Sequence, residues 1–307
     1  MSTAIGTDAA PNSEWSGKGT WRAGSVDLAE RHARFQAHMA ELRTARQGLA
    51  NRNSCMPPGL QRMTHLSRLQ FDPARWPLRE AFLAAIGMPA DTDLRHLHHL
   101  VPGLGNTAAS GLKPKLRLLA PLADPVACRG FVDSYTAFVL GVVAPMFGQA
   151  TGDSRLLFQA FPCVRISQPC DFATIRPHID QAYGHPWGSV NAWLPLTSAN
   201  SNNTLHIESA PGLEDFQPVE AEYSQLVLGD MNSCAHFTVP NSSNTTRVSL
   251  DFRIVPWSCW KAQDIREVPY LIGQYYSVCE LTSGAWQLVA DSVGYACKQH
   301  GIPHTQM

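Results

Sequence analysis

The sequence predicts a mainly β fold with flanking helices, and three observations support this. Short strand-like runs separated by turn-forming clusters fill residues 151–257. Apolar residues recur at helical spacing before that region, and a helical pattern returns after it. Short strands at this spacing are typical of a jelly roll or a related barrel. We therefore expect a jelly-roll core with an N-terminal helical layer and a C-terminal helix.

The length fits one large domain. The chain has 307 residues, of which 44% are hydrophobic and 16% charged, so a sizeable core can form. No internal repeat is present, and we expect a single domain over residues 25–307 after a flexible arm over residues 1–24. Within the domain we expect a helical layer at 25–150, the jelly-roll core at 151–257 and a C-terminal helical segment at 258–307.

Three segments predict the helical layer. The first helix is expected from Ser25, as its N-cap, to about Leu49, and its buried face would hold Leu28, Phe35, Met39 and Leu42. Residues 50–76 carry Met-Pro-Pro-Gly and Asp-Pro and are expected to be irregular. Further helices are predicted at 77–86, with Pro77 in the first turn, and at 125–147.

The core strands are predicted from short runs bounded by Gly, Pro, Asn and Ser. They cover residues 155–166, 173–178, 189–196, 204–208, 224–228, 234–239 and 246–256. A C-terminal helix is expected to begin at Ser283, to present Trp286, Val289 and Val293 on one face, and to end at Gly301.

Charge and cysteine content exclude several classes of protein. The 24 basic and 25 acidic residues give a net charge of -1, which argues against binding to nucleic acid or to an anionic membrane. The longest apolar run, residues 137–147, is shorter than the roughly 20 residues that cross a bilayer. No secretory signal is visible. The 8 cysteines include no C-x-x-C pair, and we expect them to be reduced thiols in a cytoplasmic protein.

The most informative segment is RPHIDQAYGHPWGSVNAWLPLT, residues 176–197. His178 and Asp180 are two residues apart, so on a strand their side chains leave the same face. His236 follows on a later predicted strand. Two imidazoles and one carboxylate on one face of an octahedral ion form the ligand set of non-haem iron(II) oxygenases. A His-x-Asp pair alone often occurs by chance and is more typical of a surface turn with a hydrogen-bonded histidine.

The last core strand adds a seat for an anion. In TRVSLDFRI, residues 246–254, alternation places Arg247 and Ser249 on one face. The opposite face holds Val248, Leu250, Phe252 and Ile254. An inward guanidinium and a hydroxyl beside a metal ligand would hold the distal carboxylate of a metal-chelating keto acid. The alternative is a strand-edge arginine paired with Asp251 or Glu208.

The ordered set His178-x-Asp180, His236 and Arg247-x-Ser249 resembles that of iron(II)/2-oxoglutarate-dependent oxygenases, whose fold is a double-stranded β-helix. The resemblance covers roughly residues 155–256. Two segments narrow it: H-x-D-x-x-Y-G-H-x-x-G-x-x-N-x-W-L-P-L-T at 178–197 and N-T-L-H-I-E-S-x-P-G at 203–212. They are similar to StrG-type proteins of streptomycin and related aminoglycoside biosynthesis, and more distantly to phytanoyl-CoA-hydroxylase-like enzymes.

The resemblance implies a role for each residue. The iron(II) ligands would be His178, Asp180 and His236. The seat for 2-oxoglutarate would be formed by Arg247 and Ser249, with Asn191 and Trp193 near the cosubstrate. Candidates for contact with the substrate are Tyr183, His185 and Arg165, for which loop packing or a surface charge is the alternative. In related halogenases a small residue replaces the carboxylate ligand, so Asp180 favours oxygenation or oxidative ring closure.

The function implied is that of a dioxygenase that uses iron(II), 2-oxoglutarate and O2. It would hydroxylate, cyclise or desaturate a polar small molecule in specialised-metabolite biosynthesis, and release succinate and CO2. Two alternatives stay open, namely a cupin-like metal isomerase or dioxygenase that does not use 2-oxoglutarate and a non-catalytic sugar-binding barrel. We expect no nucleic-acid or membrane partner. The aromatic segment at 268–278 predicts either a cover over the barrel mouth or a homodimer contact.

Overall fold

The computed structural model describes residues 14–16, 20–22, 28–48, 57–101, 112–170, 172–173, 175–262 and 270–290. The helices are α1 (Leu28–Gly48), α2 (Pro58–Met63), α3 (Leu78–Ala85), α4 (Leu97–Leu100), α5 (Leu112–Leu119), α6 (Arg129–Phe138), α7 (Ala144–Thr151) and α8 (Trp257–Lys261). A π-helical turn, Val139–Val143, joins α6 to α7, and short 3-10 turns occur at Leu94–His96, Ala120–Ala123 and Asp180–Tyr183.

The strands pair antiparallel in three sheets. They are β1 (Glu14–Ser16), β2 (Thr20–Arg22), β3 (Ser67–Gln70), β4 (Arg155–Gln159), β5 (Cys163–Ser167), β6 (Phe172–Ala173), β7 (Val190–Pro195), β8 (Leu205–Ile207), β9 (Gln217–Pro218), β10 (Gln225–Gly229), β11 (His236–Thr238), β12 (Arg247–Pro256), β13 (Tyr276–Thr282) and β14 (Ala285–Leu288). The largest sheet has the order β14-β13-β4-β12-β7-β10-β3, with β5 also paired to β12. The smaller sheets have the orders β11-β8-β9 and β1-β2-β6.

Strand β12 is the centre of the large sheet, because it pairs with β4, β5 and β7. All 10 of its residues are buried. The side chains of one face enter the main hydrophobic core, and they are Val248, Leu250, Phe252 and Ile254, as the alternation predicted. The opposite face carries four polar side chains, Arg247, Ser249, Asp251 and Arg253. The strand therefore separates an apolar core from a buried polar layer.

The continuous helix Arg129–Thr151 packs on the apolar face of β12. The ring of Tyr135 lies edge-on to Phe252, with 5.1 Å between ring centroids, and its hydroxyl donates to the carbonyl of Gln159 at 2.7 Å. By length and composition alone, these 23 residues would also suffice to cross a membrane. Core helices pass the same test, and Phe131 and Phe138 of this helix are buried in the main core.

Helix α1 packs on the β11-β8-β9 sheet, beside the predicted metal ligands. Phe35, Met39 and Leu42 are buried, as predicted, in a second cluster that includes Ile179 and Phe237. The ring of Phe35 meets that of Phe237 at a centroid distance of 5.9 Å. The start of the predicted helix at Ser25 lies outside the described residues.

Three predicted elements are wrong. The segment after Ser283 is not a helix: β13 and β14 form a hairpin that extends the large sheet through β4. Ser283 and Gly284 have φ angles of +53° and +84°, so they are the two central residues of a tight hairpin turn rather than a helix cap. Residues 50–76 include α2 and β3, whereas they were expected to be irregular. The predicted strand 155–166 is two strands, β4 and β5.

Other boundaries differ in smaller ways. The helix expected at 125–147 begins at Arg129 and continues to Thr151. The arm at 1–24 contains β1 and β2, and its other residues lie outside the described part, as do Val293 and Gly301.

The cysteine prediction is partly wrong. Cys128 is disulfide-bonded. The prediction missed this bond because the lack of a C-x-x-C pair says nothing about pairing between distant cysteines. The other cysteines that the structure describes form no disulfide bond, namely Cys163, Cys170, Cys234, Cys259 and Cys279.

Candidate metal centre

A backbone bridge brings the two predicted histidine ligands together. The amide of His178 donates to the carbonyl of His236 at 3.1 Å, and the amide of His236 donates back at 3.0 Å. Asp180 follows directly and begins a 3-10 turn, and its amide donates to the carbonyl of Met231 at 3.1 Å. The His-x-Asp pair thus lies in a bridge and a turn, not in a regular strand.

The three side chains converge on one point. One ligand atom from each of His178, Asp180 and His236 lies within 4.8 Å of the other two. The Nε2 atoms of His178 and His236 are 3.4 Å and 3.8 Å from Oδ1 of Asp180. Among the residues that the structure describes, this is the only such group of His, Cys, Asp and Glu side chains.

Hydrogen bonds orient both imidazoles for metal binding. Nδ1 of His178 faces the carbonyl of Arg176 at 2.9 Å, and Nδ1 of His236 faces the carbonyl of Cys234 at 3.2 Å. A carbonyl only accepts, so each Nδ1 carries the proton and each Nε2 presents its lone pair towards Asp180. Burial, together with the proximity of His178, lowers the pKa of His236 to about 3, so His236 is neutral at physiological pH.

The carboxylate of Asp180 is buried and ionised. Burial alone would raise its pKa, but the guanidinium of Arg253 and the neighbouring histidines hold the pKa well below its usual range. Oδ2 accepts hydrogen bonds from Arg253 and Asn191, which leaves Oδ1 directed at the two imidazoles. Two imidazole nitrogens and one carboxylate oxygen are a donor set that fits iron(II).

Arg247 lies on the polar face of β12, and none of the residues that the structure describes gives it a carboxylate partner. Its Nε donates to the carbonyl of Asn203 at 2.7 Å, and its Nη1 donates to Oγ of Ser249 at 2.6 Å. The indole N–H of Trp193 donates to the same hydroxyl at 3.2 Å. Burial, and secondarily the charge of Arg165, lowers the pKa of Arg247 to about 10, so it stays charged at neutral pH.

The alternative partners considered for Arg247 are engaged elsewhere. Asp251 accepts from Arg165 at 3.1 Å, and Glu208 pairs with Arg46 of α1. In the described part of the chain, no ion pair involves Arg247. A buried cation beside a hydroxyl and an indole N–H fits the carboxylate of a ligand such as 2-oxoglutarate.

The remaining predicted residues surround the centre in different ways. Asn191 donates to Asp180 at 2.7 Å, so it contacts a metal ligand. Tyr183 is 48% exposed, and its ring meets that of His178 edge-on at 5.6 Å. His185 is buried and stacks on Tyr270 at 4.1 Å. Arg165 is a largely buried partner of Asp251 and not a surface charge.

Several residues at the site were missed from the sequence. They are Arg253, Gln159, Tyr270 and Tyr275. The signal for Arg253 was present, because the alternation that places Arg247 and Ser249 on one face continues to positions 251 and 253. Gln159 ends a strand, and the two tyrosines come from a segment for which only a cover or a dimer contact was predicted.

No protein-family model matches the sequence. The chain is similar to the streptomycin biosynthesis protein StrG of Streptomyces griseus, with 35% identity over 122 residues, which cover 38% of this chain and 58% of that protein. The chain thus matches less than two thirds of the length of this relative. The similarity agrees with the expected resemblance to a StrG protein.

Solved structures give weaker likenesses. A non-heme monooxygenase, ThoJ in complex with Ni, is 16% identical with a TM-score of 0.35, over 64% of this chain and 77% of that chain. CytC3 with Fe(II) and alpha-ketoglutarate is 13% identical with a TM-score of 0.34, over 65% of this chain and 76% of that chain. These TM-scores are too low for either likeness to establish a shared fold.

Proposed function

We propose that this protein is an iron(II)/2-oxoglutarate-dependent oxygenase with a double-stranded β-helix core. The observation that carries the proposal is a pair of features on one buried polar layer. They are a His-Asp-His group with convergent ligand atoms and Arg247, a buried guanidinium with no carboxylate partner among the described residues. The first feature suits a divalent metal ion, and the second suits an anion. A metal-chelating keto acid with a distal carboxylate satisfies both.

The residues of this chain would divide the work as follows. His178, Asp180 and His236 would hold iron(II). Arg247 and Ser249 would bind the distal carboxylate of 2-oxoglutarate, with the indole N–H of Trp193 fixing the Ser249 hydroxyl. When bound, iron(II) and 2-oxoglutarate supply the oxidation of a substrate C–H bond by O2, with release of succinate and CO2. Because Asp180 fills the carboxylate position, oxygenation, cyclisation or desaturation is favoured over halogenation.

The proposed substrate is a polar small molecule of specialised metabolism, such as an aminosugar derivative. The name of the relative, a streptomycin biosynthesis protein, supports this class. Tyr183 is exposed beside His178, and Tyr270 stacks on His185, so aromatic faces border the metal side of the polar layer. Such faces pack well against the C–H face of a sugar ring, while its polar groups need partners elsewhere.

Anaerobic titration of Fe(II) with 2-oxoglutarate tests the proposal. We expect a weak visible charge-transfer band in the wild type, because the keto acid chelates the metal. The band is expected to be lost in His178→Ala and to need much more 2-oxoglutarate in Arg247→Ala. Arg155→Ala, which removes an arginine paired with Glu280 at the surface, is the matched control and should behave as the wild type. Iron-loaded wild type without a band would refute the 2-oxoglutarate assignment.

A further inference from the structure

One oxygen of Asp180 is saturated with hydrogen bonds. Oδ2 accepts from Nη2 of Arg253 at 2.6 Å, from Nε of Arg253 at 3.1 Å and from Nδ2 of Asn191 at 2.7 Å. A carboxylate oxygen has two lone pairs, so three N–H donors leave Oδ2 no lone pair for a metal ion. Oδ1, in contrast, faces the Nε2 atoms of His178 and His236.

The guanidinium of Arg253 is itself fixed at its far side. Its Nη1 donates to Oε1 of Gln159 at 3.1 Å and to the hydroxyl of Tyr275 at 2.9 Å. The Tyr275 hydroxyl donates to the same Oε1 at 2.8 Å, and Nε2 of Gln159 donates to the carbonyl of Phe161 at 2.7 Å. Every nitrogen of the guanidinium is therefore engaged, and the fork can adopt one orientation only.

The sheet register explains why these groups meet. Asn191 of β7 is directly opposite Arg253 of β12, so both side chains leave the same face of the sheet next to each other. Gln159 ends β4, the neighbour of β12 on its other side. Two adjacent strands thus supply the donors to one carboxylate oxygen, and a third strand holds the side chain of Arg253.

We propose that Arg253 is a positioning residue that restricts Asp180 to single-oxygen metal ligation and keeps three metal positions open. The inference rests on the proposed function, because only a reaction that binds a chelating cosubstrate and O2 needs three open positions. Removal of a positive charge would by itself favour binding of a divalent cation. A loss of metal affinity on removal of Arg253 therefore separates positioning from charge.

Co(II) binding to the purified apoprotein, followed by calorimetry and by visible absorption, tests this role without turnover. In Arg253→Met we expect Co(II) affinity to fall by about tenfold to a hundredfold, as for other residues that orient metal ligands. We also expect a changed Co(II) spectrum, because the Asp180 carboxylate is no longer held in one orientation towards the metal. Arg253→Lys keeps the charge but loses the fork, and we expect it to resemble Arg253→Met.

Two further variants keep the test decisive if Arg253→Met does not fold. Tyr275→Phe leaves every direct contact to Asp180 in place and loosens only the far side of the fork, so a smaller loss of affinity with a shift of the Co(II) spectrum in the same direction is expected. Arg155→Gln breaks the surface pair with Glu280 and is the control, with unchanged affinity and spectrum.

The outcomes separate the two proposals. Wild-type affinity and spectrum in both Arg253→Lys and Tyr275→Phe, or tighter binding in Arg253→Met, would overturn the positioning role even if the 2-oxoglutarate band forms. The expected losses in a protein whose wild type gives no such band would support the role of Arg253 while the proposed oxygenase function fails.

Discussion

Two buried arginines at different positions along β12, Arg247 and Arg253, differ in their partners. Arg253 is paired with a carboxylate of the protein, Asp180, and the proximity of that charge raises its pKa despite burial. Among the described residues, Arg247 donates to a carbonyl and a hydroxyl and to no carboxylate, and burial lowers its pKa to about 10. An arginine cannot lose its proton at neutral pH, so this part of the structure does not compensate the charge of Arg247. The difference teaches that a carboxylate of the protein balances Arg253, whereas Arg247 suits the anion that the proposed function requires.

The largest expected effect comes from removing one arginine at a time in the metal-free protein. Arg253→Met leaves Asp180 buried and unpaired, and we expect a loss of about 3–5 kcal/mol in the free energy of unfolding. Arg247→Met removes a charge without a partner, and we expect a change of about 1 kcal/mol or less. Urea unfolding measures both. Equal losses in the two variants would erase the distinction between the two arginines.

A smaller effect is expected from supplying the missing anion. At about 100 times its dissociation constant, 2-oxoglutarate in the presence of Fe(II) under anaerobic conditions would stabilise the wild type by about 2.7 kcal/mol. Thermal unfolding with and without 2-oxoglutarate measures this as a rise in Tm. Arg247→Met should show little of the rise, whereas Arg155→Met should show all of it. A full rise in Arg247→Met would place the anion elsewhere.

The smallest effect concerns His206, a buried base that avoids the cost of a buried charge by staying neutral. His206 is buried, Nδ1 has no hydrogen-bond partner, and burial lowers its pKa from 6.5 to about 4. It stays neutral when folded but binds a proton when unfolded. Its contribution to stability is therefore complete above pH 6.5 and is lost as the pH falls towards 4. At about 1.4 kcal/mol per pH unit, the loss between pH 6.5 and pH 5 is about 2 kcal/mol.

Replacing His206 by Phe tests this sign. The ring already stacks on Phe237 at 5.7 Å, so an aromatic side chain suits the position. We expect His206→Phe to lose less stability than the wild type between pH 7 and pH 5, as measured by urea unfolding. A replacement of the exposed His96 by Gln should follow the wild type. An identical acid loss in His206→Phe would show that other groups carry it.

The sequence allowed the centre of the molecule to be predicted better than its edges. Alternation located β12 and both its faces, and the order of residue types located the three convergent side chains. Strand β3 was missed because its residues, Ser-Arg-Leu-Gln, show little apolar character and its partner β10 is distant in sequence. The C-terminal hairpin was missed because Ser283 and Gly284 serve equally well in a helix cap and in a turn.

The supporting contacts of the site could not be predicted for a different reason. Arg253 and Asn191 meet at Asp180 because β7 and β12 pair in one particular register. The register between two distant strands cannot be predicted from the sequence of either strand alone. Gln159 and Tyr275 add partners from two further elements. Residue types near the metal can be inferred from their order, whereas the contacts that orient them require the assembled sheet.

The central position of β12 has a consequence for how the protein is made. During synthesis β4, β5 and β7 leave the ribosome before β12, the strand that pairs with all three. Until β12 follows, the backbone edges of these strands that it will pair with stay unpaired. At that stage His178 and Asp180 are already present, while His236 and the arginine that orients Asp180 are still absent. An ion that arrives early finds two of its three ligands. Metal loading is thus expected to follow, not guide, the folding of the nascent chain.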